Sequence, residues 1–254
     1  MSLVALSVDM GKNNVKEMFS FLIDEEKLSM LWGKEDTFTA RAARLPLLNP
    51  YKDTDANFKH GVDFAVAGST ALPVDTLGDK NISENKSLGV QLDWMSTHFK
   101  SNCDNDTDCE DKLKYYSLFM VGEIGDNEYN YALLQGNNIE EVKRLVPSIV
   151  QAIANVVRQA IHNLNEELNE KFTDKFIRIV YGDYYNAFEW VFNNAADLGF
   201  DPSTTQKSCG FPPICGYPSK FIGWDGIHLA QEAYRRMTDW LLWHDLPFKL
   251  RCTL

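Results

Sequence analysis

The sequence has little positive charge. It carries 25 Lys and Arg residues against 36 Asp and Glu residues, which gives a formal net charge of −11 at pH 7. Proteins that bind nucleic acid or anionic lipid usually present a basic surface, so this balance argues against both partners. The chain also has no apolar run near the roughly 18 residues that a membrane-spanning helix needs, which predicts no membrane span.

The N-terminus, MSLVALSVDMGKNN, lacks the basic start and long apolar stretch of a secretory signal peptide. Three N-x-S/T sequons, at Asn81, Asn85 and Asn105, nevertheless hint at a secreted ancestry. The sequence thus resembles a secretory protein without its export signal.

The few cysteines are mostly arranged in two close pairs, Cys103 with Cys109 and Cys209 with Cys215, and Cys252 stands alone. The polar, Gly- and Pro-containing segments between the paired cysteines suit disulfides that close short loops. Free thiols and a zinc site are the alternatives. The spacing is unusual for zinc and no His lies near either pair, so we expect no metal.

The 254 residues are 44% hydrophobic and 12% aromatic, enough for a sizeable core in one or two domains. Hydrophobic patterns predict strands over residues 62–67, 117–121 and 176–181, and helices over 15–33, 88–101, 139–172, 183–197 and 229–243. Strands that alternate with helices predict an α/β layered fold. The helix over 139–172 exceeds the ~20 residues at which most globular helices end, and Pro147 would kink it.

The segment Gly223-Trp-Asp-Gly-Ile-His-Leu229 carries the most informative polar pair, Asp225 and His228. At this spacing a helix-like turn directs both side chains the same way, so the carboxylate can orient the imidazole as a general base. The alternative is a helix-capping Asp followed by a surface His.

Two glycine-rich turns could supply oxyanion donors. Gly68 ends a predicted strand and could present its backbone N–H, and Asn127 follows Gly125 and could present its side-chain amide. An ordinary strand-ending glycine and an ordinary Gly-Asp-Asn turn are the alternatives.

In this order, these segments resemble the plant GDSL esterase/lipase family, a branch of the SGNH hydrolases, and are most similar to its sinapine and acetylajmalan esterases. The segments are LPLLNPY, FAVAGSTAL, SLFMVGEIGDNEYNYAL, GDYYNAF and PSKFIGWDGIHLAQEAY. The resemblance covers roughly residues 41 to 245. It divides the chain into a divergent N-terminal segment, 1–44, and a GDSL-like domain, 45–254.

The resemblance implies a three-layer α/β/α fold and hydrolysis of a small-molecule or lipid carboxylic ester through an acyl-serine. It implies no metal and no organic cofactor, and a secreted, extracellular or vacuolar location. Asp225 would be the orienting acid and His228 the general base. Gly68 and Asn127 would donate to the oxyanion.

The chain departs from the family at its first block, G-D-S-L, which carries the nucleophilic serine. The nearest trace is the segment VALSVDMG, in which Leu6 stands at the serine position and Ser7 falls one residue late. Productive geometry tolerates only a small misplacement, so the nucleophile is unknown.

Two further departures lie inside the domain. Residues 158–163 join two family helices directly, so an inner strand and its loop are expected to be missing, together with the first strand that carries the nucleophile. Glu128 stands where the family has Asp. The sequence therefore supports two functions: an ester hydrolase, or a catalytically inactive GDSL-like remnant that is a binding protein or the product of an incomplete gene model. The particular ester and the oligomeric state stay open.

Overall fold

The computed structural model describes residues 2–8, 20–21, 48–58, 61–77, 86–103, 118–167, 177–210 and 213–241. Apart from Ser2, the described residues up to Val180 belong to one compact unit, and those from Tyr181 onward belong to a second. The three sequons, Cys109 and Cys252 lie outside the described residues, as does the side chain of Cys103.

Six strands form one sheet in the spatial order β3-β4-β2-β5-β1-β6. They are β1 (Ser2–Val8), β2 (Ser20–Phe21), β3 (Asn49–Pro50), β4 (Val62–Asp63), β5 (Leu118–Ile124) and β6 (Ile177–Gly182). Strand β2 pairs in parallel with β4 and with β5, and β3 pairs in parallel with β4. Parallel neighbours need crossover connections, so the parallel pairs and the helices between strands place the chain in the α/β class.

Six α-helices accompany the sheet: α1 (Leu88–Cys103), α2 (Asp126–Leu134), α3 (Ile139–Lys143), α4 (Val146–Glu167), α5 (Tyr184–Asn193) and α6 (Gln231–Trp240). Short 3₁₀ turns lie at Val74–Leu77, Pro202–Thr204 and Pro218–Lys220. These elements and the strands above are those of the described part of the chain.

The core of the first unit lies where α1 and α4 pack with the strands. Leu88, Leu92 and Met95 are buried along one face of α1, which confirms the helix and the inward face that the sequence predicts. Ile149 and Ile153 contribute from α4 to the same cluster. Burial of these side chains provides the main stabilisation of the unit.

The predicted helix over 139–172 is divided in the structure. Helix α3 ends at Lys143 and α4 begins at Val146, so the single helix is wrong at 144–145. Pro147 accounts for this position because it lacks an N–H, and the first turn of a helix does not need that donor. Beyond the break, α4 continues without interruption through residues 158–163.

The predicted helix over 15–33 is wrong at Ser20–Phe21, which form β2. Pairing with strands on both sides determines this conformation, because Phe21 lies opposite Asp63 on one side and Met120 on the other. The remaining residues of 15–33 lie outside the described part. The strand predicted over 62–67 is limited to Val62–Asp63.

The N-terminal segment contributes β1, which lies between β5 and β6. This inner position of the sheet is occupied by residues upstream of the GDSL-like region. The loss of the family's first strand and of an inner strand stays a prediction. Both Leu6 and Ser7 fall within β1.

The second unit is built around α5 and α6. Ala187 and Val191 of α5 and Ala233 and Met237 of α6 are buried. A disulfide joins Cys209 to Cys215, which confirms that pair of the two predicted from spacing.

Candidate active site

Asp225 and His228 lie together on one tight turn of the second unit. The Asp225 carboxylate accepts hydrogen bonds at Oδ1 from the backbone N–H of Ile227 at 3.0 Å and of His228 at 2.6 Å. Its Oδ2 lies 2.5 Å from Nδ1 of the His228 ring. Gly226 permits the turn because its φ is 85°, a value that residues with a Cβ rarely adopt. The carboxylate therefore fixes both the turn and the imidazole ring.

The surroundings of Asp225 favour its charged form. Partial burial works to raise the pKa of Asp225, but hydrogen bonds from the backbone and ring of His228 and from the backbone of Ile227 outweigh it, so the pKa lies below its ordinary value. An ionised carboxylate beside Nδ1 holds the proton of a neutral imidazole on that nitrogen, which leaves Nε2 as a hydrogen-bond acceptor.

The second ring nitrogen of His228 is the notable atom of the turn. Its Nε2 is buried and has no hydrogen-bond partner among the residues that the structure describes. The His228 side chain as a whole keeps 21% of its surface exposed. A buried acceptor without a hydrogen bond lowers the stability of the folded protein. Such groups occur at functional sites, among other places. The arrangement can accept a proton from a hydroxyl group placed against Nε2.

Gly68 lies on a turn of the first unit whose shape requires glycine. Its φ is 76°, and a Cβ built at this position would lie 2.9 Å from the Tyr131 hydroxyl oxygen. That hydroxyl donates to the Gly68 carbonyl oxygen at 3.1 Å. The Gly68 carbonyl is thus held by α2, and the backbone at Gly68 is tightly enclosed.

Asn127 contacts the same turn. It lies in the first turn of α2, directly after Gly125 and Asp126, and its Nδ2 donates to the Ser69 carbonyl oxygen at 2.7 Å. The structure therefore brings the Gly68 turn and the Asn127 side chain together, as neighbouring parts of one unit.

Two further residues hold this turn: Gln91, which the sequence did not indicate, and Glu128, which the sequence marks only as a departure from the family. Glu128 is 1% exposed, and its Oε1 accepts from the Leu72 N–H at 2.9 Å. Gln91 is 2% exposed, and its Nε2 donates to the Ser69 Oγ at 2.8 Å. The available signal for Gln91 was a polar residue beside the apolar stripe of α1, and for Glu128 the replacement of Asp at a family position.

Burial raises the pKa of Glu128, although hydrogen bonds from the backbone at Leu72, Glu128 and Ala71 work in the opposite direction. Its Oε2 has no hydrogen-bond partner within the described residues. A buried carboxyl with one unpaired oxygen favours the protonated form.

The four predicted site residues fall in two units. Gly68 and Asn127 belong to the first, and Asp225 and His228 to the second. The side chain of Ser7 lies outside what the structure describes. Across the described stretches, no group of three or more His, Cys, Asp or Glu side chains is placed to hold a metal ion, and no helix is long and apolar enough to cross a membrane.

Comparison with known proteins identifies relatives. The chain is 33% identical over 284 residues to acetylajmalan esterase 2 of Rauvolfia serpentina, covering 85% of this chain and 77% of that protein. It is 31% identical to acetylajmalan esterase 1 of the same plant, covering 85% and 74%. It is 32% identical to a GDSL esterase/lipase of Arabidopsis thaliana, covering 76% of this chain and 79% of the relative. No protein-family model matches the chain, and no solved structure matches it.

These relatives share one class, esterases of the GDSL type, and the chain belongs to the plant GDSL esterase/lipase family. By family it is a hydrolase that acts on ester bonds. The alignment with acetylajmalan esterase 2 spans 284 positions, more than the 254 residues of the chain, so part of it pairs residues of the relative with gaps here. The relative therefore contains internal residues that this chain lacks.

Proposed function

We propose that the protein hydrolyses carboxylic esters through an acyl-serine, with His228 as general base and Asp225 as the residue that orients it. One observation carries the proposal: Asp225 fixes the His228 ring, and Nε2 is buried without a hydrogen-bond partner among the described residues. An oriented imidazole with an unpaired acceptor nitrogen is the arrangement that deprotonates a hydroxyl nucleophile.

In the proposed reaction, His228 Nε2 takes the proton of a serine hydroxyl as its oxygen attacks the ester carbonyl carbon. The ionised Asp225 stabilises the imidazolium that forms. The protonated ring then gives this proton to the leaving alkoxide, which departs as an alcohol and leaves the acyl-serine. His228 then takes a proton from a water molecule as the water oxygen attacks the acyl-serine, and returns it to the serine oxygen as the acyl–oxygen bond breaks, which releases the carboxylic acid and regenerates the serine.

The negative oxygen of each tetrahedral intermediate would be stabilised by the Gly68 backbone N–H and by the Asn127 side-chain amide. The contact between Asn127 and the Ser69 carbonyl supports this assignment, because it holds the amide against the turn that carries Gly68. Donors that are held in place before the reaction stabilise a developing charge without reorganisation.

The substrate proposed is a small-molecule or lipid ester. Relatives named acetylajmalan esterases support a small-molecule ester. We also propose a secreted, extracellular or vacuolar location, which the Cys209–Cys215 disulfide supports because disulfides persist in oxidising compartments.

A specific observation favours a second candidate, a catalytically inactive GDSL-like protein. Leu6 stands where the family serine belongs, and Ser7 is the next residue of β1. Because neighbouring residues of a strand point to opposite faces, a shift of one position turns a hydroxyl away from its family direction.

Hydrolysis of p-nitrophenyl acetate separates the two candidates. Our proposal predicts turnover by the wild-type chain and a loss of about 10²–10⁴-fold in kcat for His228→Gln. His162→Gln is the matched control, since His162 is exposed on α4 and lies far from His228 in the sequence. Absence of turnover, or equal turnover by His228→Gln and the wild type, would overturn the hydrolase and favour the inactive protein.

A further inference from the structure

We propose that the segment Ser208–Gly210, anchored by the Cys209–Cys215 disulfide, is a positioning element for the Asp225–His228 turn. We call Ser208–Gly210 the clamp segment. The catalytic role of the clamp segment rests on the proposed function, whereas its effect on the position of the Asp225–His228 turn can be measured without turnover.

The clamp segment bonds to the two residues that come directly before Asp225. The Cys209 N–H donates to the Gly223 carbonyl oxygen at 3.1 Å, and the Gly210 N–H donates to the Trp224 carbonyl oxygen at 2.6 Å. Ser208 forms a parallel bridge with Gly223. The start of the Asp225 turn is therefore fixed by backbone contacts from the clamp segment.

Residues 222–224 also form backbone hydrogen bonds with the residues at the end of the Asp225–His228 turn. The Trp224 N–H donates to the His228 carbonyl oxygen at 2.8 Å, and Gly223 forms an antiparallel bridge with Leu229. The Ala230 N–H donates to the Ile222 carbonyl oxygen at 2.6 Å. Residues 222–224 thus lie between the clamp segment and the chain that carries His228, so a shift of the clamp segment reaches both catalytic side chains.

The disulfide anchors the clamp segment. Cys209 is 1% exposed, and the Cys215 N–H donates to the Cys209 carbonyl oxygen at 3.0 Å. The disulfide therefore joins a buried residue of the clamp segment to Cys215 in the following loop. The backbone hydrogen bond joins the same two residues. Breaking the covalent link increases the freedom of the clamp segment.

Gly210 offers a sharp test because its backbone closely approaches Trp224. A Cβ at Gly210 would lie 2.7 Å from the Trp224 ring and 3.0 Å from the Trp224 carbonyl oxygen, so Gly210→Ala must displace one of them. A Cβ at Gly216 would meet nothing within 4 Å. Gly216→Ala is thus the matched control, with the same chemical change six residues further along the chain.

The readouts are the ¹H resonance of the proton between His228 Nδ1 and Asp225, and the kinetics of ester hydrolysis. The resonance is assigned by its loss in His228→Gln. We expect Gly210→Ala to shift or broaden this resonance and to lower kcat by about 10–100-fold with a smaller change in KM, since a displacement near 1 Å can cost about 10²-fold. Gly216→Ala should retain the wild-type resonance and kcat.

Reduction supplies a second measurement if Gly210→Ala does not fold. A dithiol such as dithiothreitol donates two electrons and two protons to the Cys209–Cys215 bond, gives two thiols and is itself oxidised to a cyclic disulfide. Reduced wild type should show the altered His228 resonance and regain the original on reoxidation. A Cys209→Ser/Cys215→Ser variant should show the altered resonance from the start and should not respond to the reductant.

The proposal is overturned if Gly210→Ala and Gly216→Ala give the same His228 resonance, or if reduction leaves that resonance unchanged. Failure of the proposed function looks different: the wild type would lack turnover while the resonance still separates the two glycine variants. Each result therefore counts for or against positioning independently of hydrolysis.

Discussion

At the scale of single residues, the proposed site depends on polar groups that a neighbouring segment holds in place. Asp225 and His228 are three residues apart, so the sequence alone could predict their contact. Gln91 and Tyr131 hold the Gly68 turn from distant positions in the chain. No local pattern reports such contacts, which is why sequence reasoning did not find these two residues.

Gly68→Ala is expected to destabilise the first unit by more than the ~1–2 kcal/mol that a left-handed backbone costs a residue with a Cβ. The extra cost comes from the contact with the Tyr131 hydroxyl at 2.9 Å. Gly136→Ala is the matched control, because Gly136 has a φ of 88° but nothing within 4 Å of an added Cβ. Urea denaturation measures both variants, and equal losses of unfolding free energy would contradict the close packing at Gly68.

Glu128→Gln is expected to change how stability depends on pH. Burial raises the folded-state pKa of Glu128, so between the unfolded value of about 4.3 and the higher folded value the folded protein holds a proton that the unfolded chain has lost. Its contribution is therefore full below that window and is lost as pH rises through the folded pKa.

Urea denaturation at several pH values from about 4 to 7 tests this expectation. The wild type should lose more stability than Glu128→Gln as pH rises. The exposed glutamate variant Glu140→Gln should follow the wild type. A wild type and a Glu128→Gln variant with parallel pH profiles would show that Glu128 keeps an ordinary pKa.

At the scale of elements, the helices and strands with strong internal patterns could be predicted. The apolar stripe of Leu88, Leu92 and Met95 predicted α1, and the apolar run after residue 117 predicted β5. Pro147 predicted a kink in the helix over 139–172, but the break itself lies at residues 144–145, where the apolar period continues, so its exact position could not be predicted. Strand β2 has only two residues, and its conformation depends on β4 and β5, far away in sequence.

The beginning of α3 provides a prediction at this scale. Asn138 accepts hydrogen bonds from the backbone N–H groups of Glu140 and Glu141, and the Glu141 side chain accepts from the Asn138 N–H. Asn138→Ala should therefore lower the unfolding free energy by about 0.5–2 kcal/mol. Glu141→Gln preserves a capping-box acceptor and should change it little. Equal losses in thermal denaturation would contradict the reciprocal cap.

At the scale of the whole molecule, the N-terminal segment contributes strands to the sheet although its sequence diverges from the family. Strand β1 of this segment lies between β5 and β6, at an inner position of the sheet. The sequence did not indicate this placement, because long-range pairing within a sheet is not encoded in local hydrophobic pattern. The described part of the sheet therefore depends on residues outside the GDSL-like region.

Ala5→Pro tests this dependence. Proline lacks the backbone N–H that an inner strand donates to its neighbour, and within sheets it is therefore found almost only on edge strands. We expect a loss of at least about 1 kcal/mol of unfolding free energy and a lower thermal midpoint. Ala5→Val keeps the donor and a residue that favours strands, so it should unfold like the wild type. Identical melting curves for the two variants would contradict an inner position for β1.

The most direct test of the central claim is labelling with a fluorophosphonate probe, followed by mass spectrometry of the modified peptide. The account predicts that one serine of the wild-type chain is labelled stoichiometrically, and that His228→Gln abolishes this labelling because the hydroxyl loses its base. Identification of the labelled residue would also assign the nucleophile. No labelled serine, or labelling that persists unchanged in His228→Gln, would contradict the account and leave a GDSL-family protein that does not hydrolyse esters by this chemistry.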